Sequence, residues 1–466
     1  MARTRSSLPA NTIILGFTGT IGSGCTYIAE AIEHEYKYKY FSLSDILRNI
    51  AAKKGLNNPS VDDLQTLGNN LRAKYGNSYL VQELLKFIKK GDLPGLKSDK
   101  GTLKGIIIDS IRNDGEVYTL RQFPYFYLFS VHSGFELRKQ RTLRDKKFKS
   151  KEEFKNADHR DKAEDIQYGQ QVAKCNDLAD FIINNDKNIP QRASQEKKKF
   201  IDRVYNNYVL LVEHKQEGVI LPDNLPTTNE TLMTMAYAES QRSSCLKRKV
   251  GAIIAEINHS SFGNGSDNRI NESVNIISSG HNEVPLGSIP CAFNPEYEKC
   301  YRDHLQEEHA KKIKFCPNCG EEIKLSSQKC KKCKHEIKTF IKVCPDCKNE
   351  IDVQYKCPKC DKEVFKEYLI GAGKLLDMCK ALHAEENALL SLKKHGGENF
   401  RNTVLYTTTF PCNLCANKIV ASGINKVVYA DPYPMKEAKT ILAAGKVEIE
   451  KFEGIKSSAY FKLYNV

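Results

Sequence analysis

Pairs of cysteines constrain the fold of this chain more than any other feature of its sequence. Ten of the sixteen cysteines fall in five C-x-x-C pairs, and four pairs form a repeat with a period of 13–14 residues: CPNCGEEI, CKKCKHEI, CPDCKNEI and CPKCDKEV. Two thiolates three residues apart can bind one zinc ion through a tight turn, and a second pair completes a tetrahedral site. The repeat therefore predicts two structural zinc ions in an inserted double zinc ribbon at 309–366.

The eight ribbon cysteines can be paired in more than one way. Sequential pairing is the simplest, and it gives Cys316, Cys319, Cys330 and Cys333 as one site and Cys344, Cys347, Cys357 and Cys360 as the other. A crossed pairing stays open. Four thiolates leave no position for a substrate, so we expect a structural or binding role rather than catalysis. The ribbon could contact nucleic acid or a partner protein, or serve as a rigid strut in assembly.

Size and composition indicate a globular protein. The chain has 466 residues, 40% of them hydrophobic and 27% charged, which is typical of two or three domains. No apolar run approaches the roughly 20 residues that a membrane-spanning helix needs. The apolar run after the basic start MARTRSS is too short for a signal peptide. We therefore expect a cytoplasmic protein without a membrane partner, whose cysteines bind metal or act in catalysis.

The net charge of +14 favours anionic partners, either nucleotides or nucleic acid.

Two α/β patterns follow one another along the chain. In the first, the buried strand TIILGFT (12–18) precedes a glycine loop and a helix, and GIIIDSIRN (105–113) is a second apolar strand. This alternation predicts a parallel sheet with ligands at the carboxyl ends of its strands. The predicted divisions are a nucleotide-binding domain at 1–215, a linker at 216–230 and a second α/β domain at 231–466.

The fifth cysteine pair belongs to a pattern that indicates an enzyme. His383-x-Glu385 is followed, after a spacer of 25 residues, by Pro411-Cys412-x-x-Cys415, which is the signature of zinc-dependent nucleobase deaminases. His383, Cys412 and Cys415 would bind one catalytic zinc ion and leave its fourth position to water, whose pKa the metal lowers. We expect Glu385 to be the general acid and base. A structural zinc, the alternative, would need a fourth protein ligand.

Several segments around this signature resemble the deoxycytidylate deaminase family. They are RSSCLKRKVGAIIA, SGHNEVP, CKALHAEENALL and TTFPCNLCANKIVASGINKVVYADPYP, in that order. The resemblance covers about 231–308 and 370–440. It implies a three-layer α/β/α cytidine-deaminase fold and a deoxycytidine nucleotide as substrate. The contacts that it implies are Asn282 near the sugar, Arg242 and Ser243 near the phosphate, and Tyr433 beside the base.

Two points stay open in this half of the chain. The family pattern G-Y-N-G-x-P is replaced by GHNEVP, so His281 and Glu283 leave the preference between mono- and triphosphate undecided. The resemblance also makes Cys245, Cys291 and Cys379 candidates for a further zinc site. Buried cysteines without a ligand are the alternative.

The stretch GTIGSGCT has the glycines and the hydroxyl of a phosphate-binding loop, G-x-x-x-x-G-K-[ST], but Cys25 stands in place of the lysine. Backbone amides of such a loop can still bind phosphate at a helix N-terminus. Phosphoryl transfer, in contrast, relies on the lysine. We therefore expect a domain that binds a nucleotide, with a nucleoside triphosphate and Mg²⁺ as candidate ligands, and has lost phosphoryl transfer. The candidate loop contacts are Gly19, Gly22, Ser23, Gly24, Cys25 and Thr26.

Beyond the loop, this half resembles nucleoside and nucleotide monophosphate kinases. In LSDILRN, Asp45 and Arg48 resemble the acceptor-nucleotide site, and in IDSIRNDGEV, Asp109 and Arg112 stand where such folds contact metal or phosphate. LADFIINN is similar to the closing strand of these folds. Arg138, Arg141 and Arg144 lie in a basic segment that is either a lid over phosphates or a solvated helical face.

A kinase-like half joined to a deoxycytidylate deaminase half resembles the bacterial anti-phage deaminases of the AvcD/DcdV type. This resemblance implies depletion of dCTP and dCMP during infection, and inhibition by a small RNA or a peptide in uninfected cells. The deaminase family also implies a homo-oligomer, typically a hexamer. Two other functions stay open: a polynucleotide cytosine deaminase that edits nucleic acid, and a non-catalytic zinc scaffold that binds RNA.

Overall fold

The computed structural model of the chain describes most of both α/β patterns. The described residues are 8–9, 11–56, 58–90, 97–98, 101–162, 168–187, 194–219, 225–262, 269–305, 313–315, 322–324, 332, 342–343, 350–351, 379–394, 402–432 and 436–464. The eight ribbon cysteines and Tyr433 lie outside this part of the chain. Within it, no helix is both long enough and apolar enough to cross a membrane.

The first α/β part alternates strands and helices along the chain. Its strands are β1 (Ile13–Thr18), β2 (Tyr38–Ser42), β3 (Lys97–Ser98), β4 (Gly101–Thr102), β5 (Gly105–Asp109), β6 (Phe126–His132) and β7 (Phe181–Asn184). Its helices are α1 (Cys25–Tyr36), α2 (Leu43–Lys53), α3 (Val61–Tyr75), α4 (Tyr79–Lys90), α5 (Asp114–Leu120), α6 (Phe135–Arg144), α7 (Lys151–Lys162), α8 (Val172–Leu178), α9 (Ser194–Val204) and α10 (Leu210–Glu217), with a π-helical turn at Tyr205–Val209.

The main sheet of this part is parallel, as the sequence predicts. Strands β2, β5, β1, β6 and β7 lie side by side in that order, and every pair among these neighbours is parallel. All residues of β1, β5 and β6 are buried, because helices cover both faces of the sheet. The predicted strand at 12–18 and the closing strand in LADFIINN are confirmed. The strand predicted at 105–113 forms over Gly105–Asp109 only, and Ser110, with a φ of 66°, leaves the extended conformation.

The second α/β part has its own sheet and helices. Its elements are α11 (Thr228–Ser240), β8 (Gly251–Phe262), β9 (Arg269–His281), β10 (Ile313–Phe315), β11 (Glu322–Lys324), β12 (Lys342–Val343), β13 (Glu350–Ile351), α12 (Ala384–Lys394), β14 (Thr403–Thr409), α13 (Asn413–Ala421), β15 (Lys426–Asp431), α14 (Lys436–Ala444), β16 (Glu448–Lys451), β17 (Gly454–Ile455) and α15 (Ser457–Tyr464). A capping box between Thr227 and Glu230 begins α11.

The second sheet has the strand order β16-β15-β14-β8-β9. Strands β14, β15 and β16 are parallel, whereas β8 is antiparallel to both of its neighbours. Helix α11 packs on one face, and helices α12, α13 and α14 contribute to the core on the other. This part is therefore the three-layer α/β/α arrangement that the resemblance implies. Strands β10 with β11 and β12 with β13 form two separate antiparallel pairs.

The end of the described chain returns to the first sheet. Strand β17 pairs antiparallel with β7, and the backbone N–H of Ile455 donates to Glu230 Oε1 at 2.9 Å. Residues of α15 are part of the first domain's core. The predicted boundaries at 215 and 231 stay a prediction, but the segment that follows β16 contributes to both α/β parts.

Candidate active site

Two helix starts bring the predicted deaminase residues together. His383 directly precedes α12 and Glu385 lies in its first turn, while Cys412 is the N-cap of α13 and Cys415 lies in that helix's first turn. Strand β9 packs closely against α12. A Cβ atom added to Gly280 would stand only 2.4 Å from the backbone nitrogen of Ala388. Only glycine allows this approach without displacement of the backbone.

His383, Cys412 and Cys415 form a group that could hold a metal ion. Their ligand atoms lie within 4.8 Å of one another, and Nδ1 of His383 is 3.2 Å from the sulfur of Cys412 and 3.3 Å from that of Cys415. One nitrogen and two sulfurs are ligands that zinc prefers, and three protein ligands are typical of a catalytic site with one open position. The residues therefore fit a zinc ion.

The charges at this site are set by burial and by the helix start. Burial raises the pKa of Glu385, a residue that is 4% exposed and whose Oε2 is 3.7 Å from the sulfur of Cys415. Hydrogen bonding by Cys415, and then by His383, lowers the pKa of Cys412 to about 4. A thiolate at the N-terminus of a helix is also favoured by the helix dipole. Cys412 thus ionises more readily than usual, whereas the pKa of Cys415 is raised, first by its hydrogen bond with Cys412 and then by burial. Glu385 holds its proton more tightly than an exposed carboxyl does.

A pocket opens beside these residues. Its walls are formed by Cys245, Lys247, Arg248, Val250, Asn282, Cys300, Arg302, Cys379, Ala381, His383, Ala384, Glu385, Thr409, Phe410 and Cys412. Two of the candidate metal ligands, His383 and Cys412, and Glu385 therefore line a common space that a small substrate could enter, whereas Cys415 does not line it.

The resemblance implies substrate contacts for Asn282, Ser243 and Arg242. These residues do not all line the pocket. Asn282 lines it, although its side chain accepts from Val250 N at 2.7 Å and donates to Arg248 O at 2.9 Å. Ser243 is buried behind it, and its hydroxyl donates to Asn282 O at 2.7 Å. Arg242 is exposed and pairs with Glu239 at 3.1 Å, outside the pocket. Their substrate roles stay predictions.

The pocket residues that were not singled out from the sequence include three cations and one aromatic ring. Lys247 and Arg248 lie inside the motif RSSCLKRKVGAIIA, and Phe410 lies inside TTFPCNLC, so position within those motifs was an available signal. Arg302 lies outside every quoted motif, and no pattern in the sequence marks it. All four depend on the fold to reach the same pocket.

The further zinc site is not formed in the described part of the chain. Among the described residues, the group with three mutually close ligand atoms is His383, Cys412 and Cys415, and Cys245, Cys291 and Cys379 do not form another. Cys245, Cys300 and Cys379 line the pocket, whereas Cys291 does not. The assignment of Cys245, Cys291 and Cys379 to a metal stays a prediction.

A second pocket surrounds the phosphate-binding loop. The loop lies between β1 and α1, and it lines the pocket together with Asp109, Arg112 and several basic side chains. The hydroxyl of Thr26 donates to Asp109 Oδ2 at 2.7 Å. A hydroxyl and a carboxylate in this arrangement are typical ligands of Mg²⁺ in phosphate-binding loops. The structure thus brings together residues of the loop and of the strand end, as predicted.

Cys25 brings no positive charge to this pocket. Burial, and then the nearby Asp109, raises the pKa of Cys25 to about 12, so its thiol is neutral at pH 7. Arg112 also lines the pocket, but its guanidinium pairs with the buried carboxylate of Asp161. Asp161 accepts in addition from the backbone N–H of Ile21 at 2.9 Å. Asp161 of α7 therefore holds the loop in place. Position 25, where the phosphate-binding motif has a lysine, carries no positive charge.

The other kinase-like residues have separate positions. Asp45 and Arg48 form an exposed ion pair with each other at 2.7 Å and do not line the pocket. Arg138 is buried and donates to Ile21 O at 2.9 Å, while Arg141 and Arg144 contribute to the pocket wall. Arg138 thus contacts the loop and the other two arginines line its pocket, while a role as a lid over phosphates stays a prediction.

Comparison with known proteins identifies relatives of the second α/β part. Residues 226–431 match the family model of the cytidine and deoxycytidylate deaminase zinc-binding region. Deoxycytidylate deaminase of Schizosaccharomyces pombe is 25% identical over 278 residues, covering 59% of this chain and 54% of that relative. Deoxycytidylate deaminase of Enterobacteria phage T4 is 28% identical over 209 residues, covering 44% and 77%. The chain spans about half the length of the S. pombe relative.

Solved structures resemble each part at low similarity. The dCMP deaminase from the cyanophage S-TIM5 is 21% identical and covers 49% of this chain and 99% of its own, with a TM-score of 0.23. Shikimate kinase from Bacteroides thetaiotaomicron is 13% identical and covers 42% and 96%, with a TM-score of 0.26. These TM-scores are too low to support an inference. The family match and the three candidate zinc ligands together show that the second part resembles zinc-binding deaminases.

Proposed function

We propose that this protein hydrolyses deoxycytidine nucleotides, dCMP, dCTP or both, to deoxyuridine nucleotides and ammonia in a zinc-dependent reaction. The convergence of His383, Cys412 and Cys415 beside the carboxyl of Glu385 carries this proposal. The family match over residues 226–431 supports the reaction class. The relatives named deoxycytidylate deaminase support the nucleotide substrate.

The protein's own residues supply binding and proton transfer. A zinc ion, when bound by His383, Cys412 and Cys415, would supply Lewis acidity that makes water reactive near neutral pH. Glu385 accepts a proton from the attacking water at its carboxylate and donates it to the ring nitrogen of cytosine. It then accepts the second proton of that water from the hydroxyl group now on the ring carbon and passes it to the departing amino group. Water adds at the ring carbon that bears the amino group, and ammonia leaves, so the atoms balance without an oxidant or reductant.

The pocket walls favour this use of Glu385. Phe410 is 2% exposed and offers an apolar surface at the edge of the pocket. A base held among such side chains displaces water, which strengthens the hydrogen bonds that remain. Because burial raises the pKa of Glu385, its carboxylate is a stronger base toward the attacking water than an exposed carboxylate would be.

We propose that the first α/β part binds a nucleoside triphosphate with Mg²⁺ and regulates deamination without transferring a phosphoryl group. The pocket around the loop, the pairing of Thr26 with Asp109 and the neutral thiol of Cys25 support this proposal. The close packing of the two parts through β17 and α15 offers a route for regulation. A role in anti-phage nucleotide depletion, inhibition by a small RNA or peptide, and a hexameric assembly rest on the resemblance alone.

Substrate size separates the proposed function from its main alternative. The purified protein is incubated with dCMP, with dCTP and with a cytosine-containing single strand, and ammonia and the deaminated product are measured. We expect product from at least one mononucleotide. Activity on the strand alone would show a polynucleotide deaminase instead. Absence of product from all three would support a non-catalytic scaffold.

A further inference from the structure

Three cationic side chains line the pocket that contains Glu385. They are Lys247, Arg248 and Arg302. All three lie in the described part of the chain. Which of them is available to an anionic substrate depends on the carboxylates beside it.

Two of these cations are already paired. Lys247 Nζ lies 2.7 Å from Asp303 Oδ1, and Arg248 Nη2 lies 3.2 Å from Asp431 Oδ2. Each ion pair leaves little net charge for a ligand, although both side chains still shape the pocket wall. Asp303 directly follows Arg302 in sequence, but its carboxylate pairs with Lys247.

Arg302 differs from the other two. It is half-buried, and its side chain has no ion pair or hydrogen bond with any residue in the described ranges. Its charge also acts within the pocket, because it lowers the pKa of Cys379, which burial raises overall. A guanidinium that is partly removed from water and that no described residue pairs with is costly to bury, and an anion would restore the lost interactions.

We propose that Arg302 binds the α-phosphate of the deoxycytidine nucleotide. A guanidinium offers two parallel N–H donors that match two phosphate oxygens, so Arg302 would hold the phosphate while the base reaches the end of the pocket with Glu385. The inference rests on the proposed function and names the residue that distinguishes a nucleotide from a nucleoside. Arg242, which the resemblance places near the phosphate, lies outside this pocket.

The test compares substrates with and without the phosphate. The kcat/KM of wild type, Arg302→Gln and Arg302→Lys is measured for dCMP, dCTP and deoxycytidine. For Arg302→Gln we expect a loss of about 10- to 100-fold with both nucleotides, mainly through KM, because charge-assisted hydrogen bonds are lost. The rate with deoxycytidine is expected to stay within about twofold. Arg302→Lys is expected to recover part of the loss, since it keeps the charge without the bidentate geometry.

The control is Lys446→Gln, which removes one positive charge from an exposed site in the same α/β part. Equal losses with dCMP and deoxycytidine would show that Arg302 has a structural role and would refute the inference. Unchanged kcat/KM with all substrates would also refute it.

A second measurement uses wild type alone, so it does not depend on whether the variants fold. Inorganic phosphate should compete with dCMP and not with deoxycytidine, and competition with neither would refute the inference. If wild type deaminates none of the three, the proposed function itself is wrong.

Discussion

The candidate zinc site contains both a carboxyl whose pKa is raised and a thiol whose pKa is lowered. The pKa of Glu385 is raised by burial, and that of Cys412 is lowered to about 4 by hydrogen bonding. The two shifts suit different tasks, since a metal ligand must be a thiolate and a proton carrier must accept and release a proton near neutral pH. Neighbouring positions of two short helices are enough to create both environments.

The residues of this site differ in how far the sequence could predict them. His383, Glu385, Cys412 and Cys415 follow from local spacing, because a zinc site needs given residue types at given intervals. That Arg302, alone among the three cations of the pocket, has no ion pair with a described residue could not be predicted. It depends on Asp303 pairing with Lys247 and on Asp431 pairing with Arg248, and the second pair joins residues far apart in sequence.

The thiol of Cys25 gives a prediction for the first α/β part. Because burial raises its pKa to about 12, position 25 carries no charge that could follow a transferred phosphoryl group. ATP with Mg²⁺ is expected to raise the melting temperature of the protein and to change the rate of dCMP deamination, with no ADP formed above the background without protein. Rapid ADP formation that depends on a nucleoside monophosphate would identify a working kinase and contradict the proposed role.

At the scale of elements, the close contact of β9 with α12 positions the catalytic helix. A Cβ at position 280 would lie 2.4 Å from Ala388 N and 2.5 Å from Ala384 O, both backbone atoms. Gly280→Ala is therefore expected to lower the free energy of unfolding by about 1–3 kcal/mol and to reduce dCMP deamination. The measurements are urea unfolding and initial rates. The control is Ser279→Ala, on the residue before Gly280 in the strand, which should change the free energy of unfolding and the deamination rate less. Equal effects of the two substitutions would contradict the proposal that this contact positions α12.

Most elements around the two pockets could be predicted, and the last short strand could not. Strands such as Ile13–Thr18 and Lys426–Asp431 are apolar runs whose burial matches their composition. Strand β17 has two residues, one of them a glycine, and no hydrophobic pattern indicates that it pairs with β7. Its position depends on tertiary contacts with Glu230 and with the first sheet, which local propensity does not encode.

At the scale of the whole molecule, the two α/β parts share a charged interface. Lys456 is 2% exposed and its Nζ donates to Asn176 O at 2.9 Å and to Asp177 O at 3.0 Å. Lys451 lies 3.4 Å from Asp186. The segment around β17 thus places lysines against the edge of the first sheet, close to the buried His132.

His132 gives a prediction for the pH dependence of stability. Burial, and then Lys451 and Lys456, lowers its pKa well below the usual value of 6.5. As the pH falls below about 6.5, this histidine takes up a proton in the unfolded chain before it does so in the folded protein. Its contribution to the free energy of unfolding is therefore present above that pH and is lost below it, by at most about 1.4 kcal/mol per pH unit. The melting temperature of wild type should therefore fall more between about pH 7.5 and 5.5 than that of His132→Asn. The exposed His159 provides the control, and His159→Asn should behave as wild type. Equal falls in all three proteins would contradict this explanation.

The central claim is that His383, Cys412, Cys415 and Glu385 form the site that deaminates deoxycytidine nucleotides. Its most direct test measures ammonia and deoxyuridine nucleotide formed from dCMP and dCTP by wild type and by Glu385→Gln, together with zinc content. We expect equal amounts of the two products from wild type, a rate about 10²- to 10⁴-fold lower for the variant, and unchanged zinc, because the variant keeps all three candidate ligands. A Glu385→Gln protein as active as wild type would contradict the account.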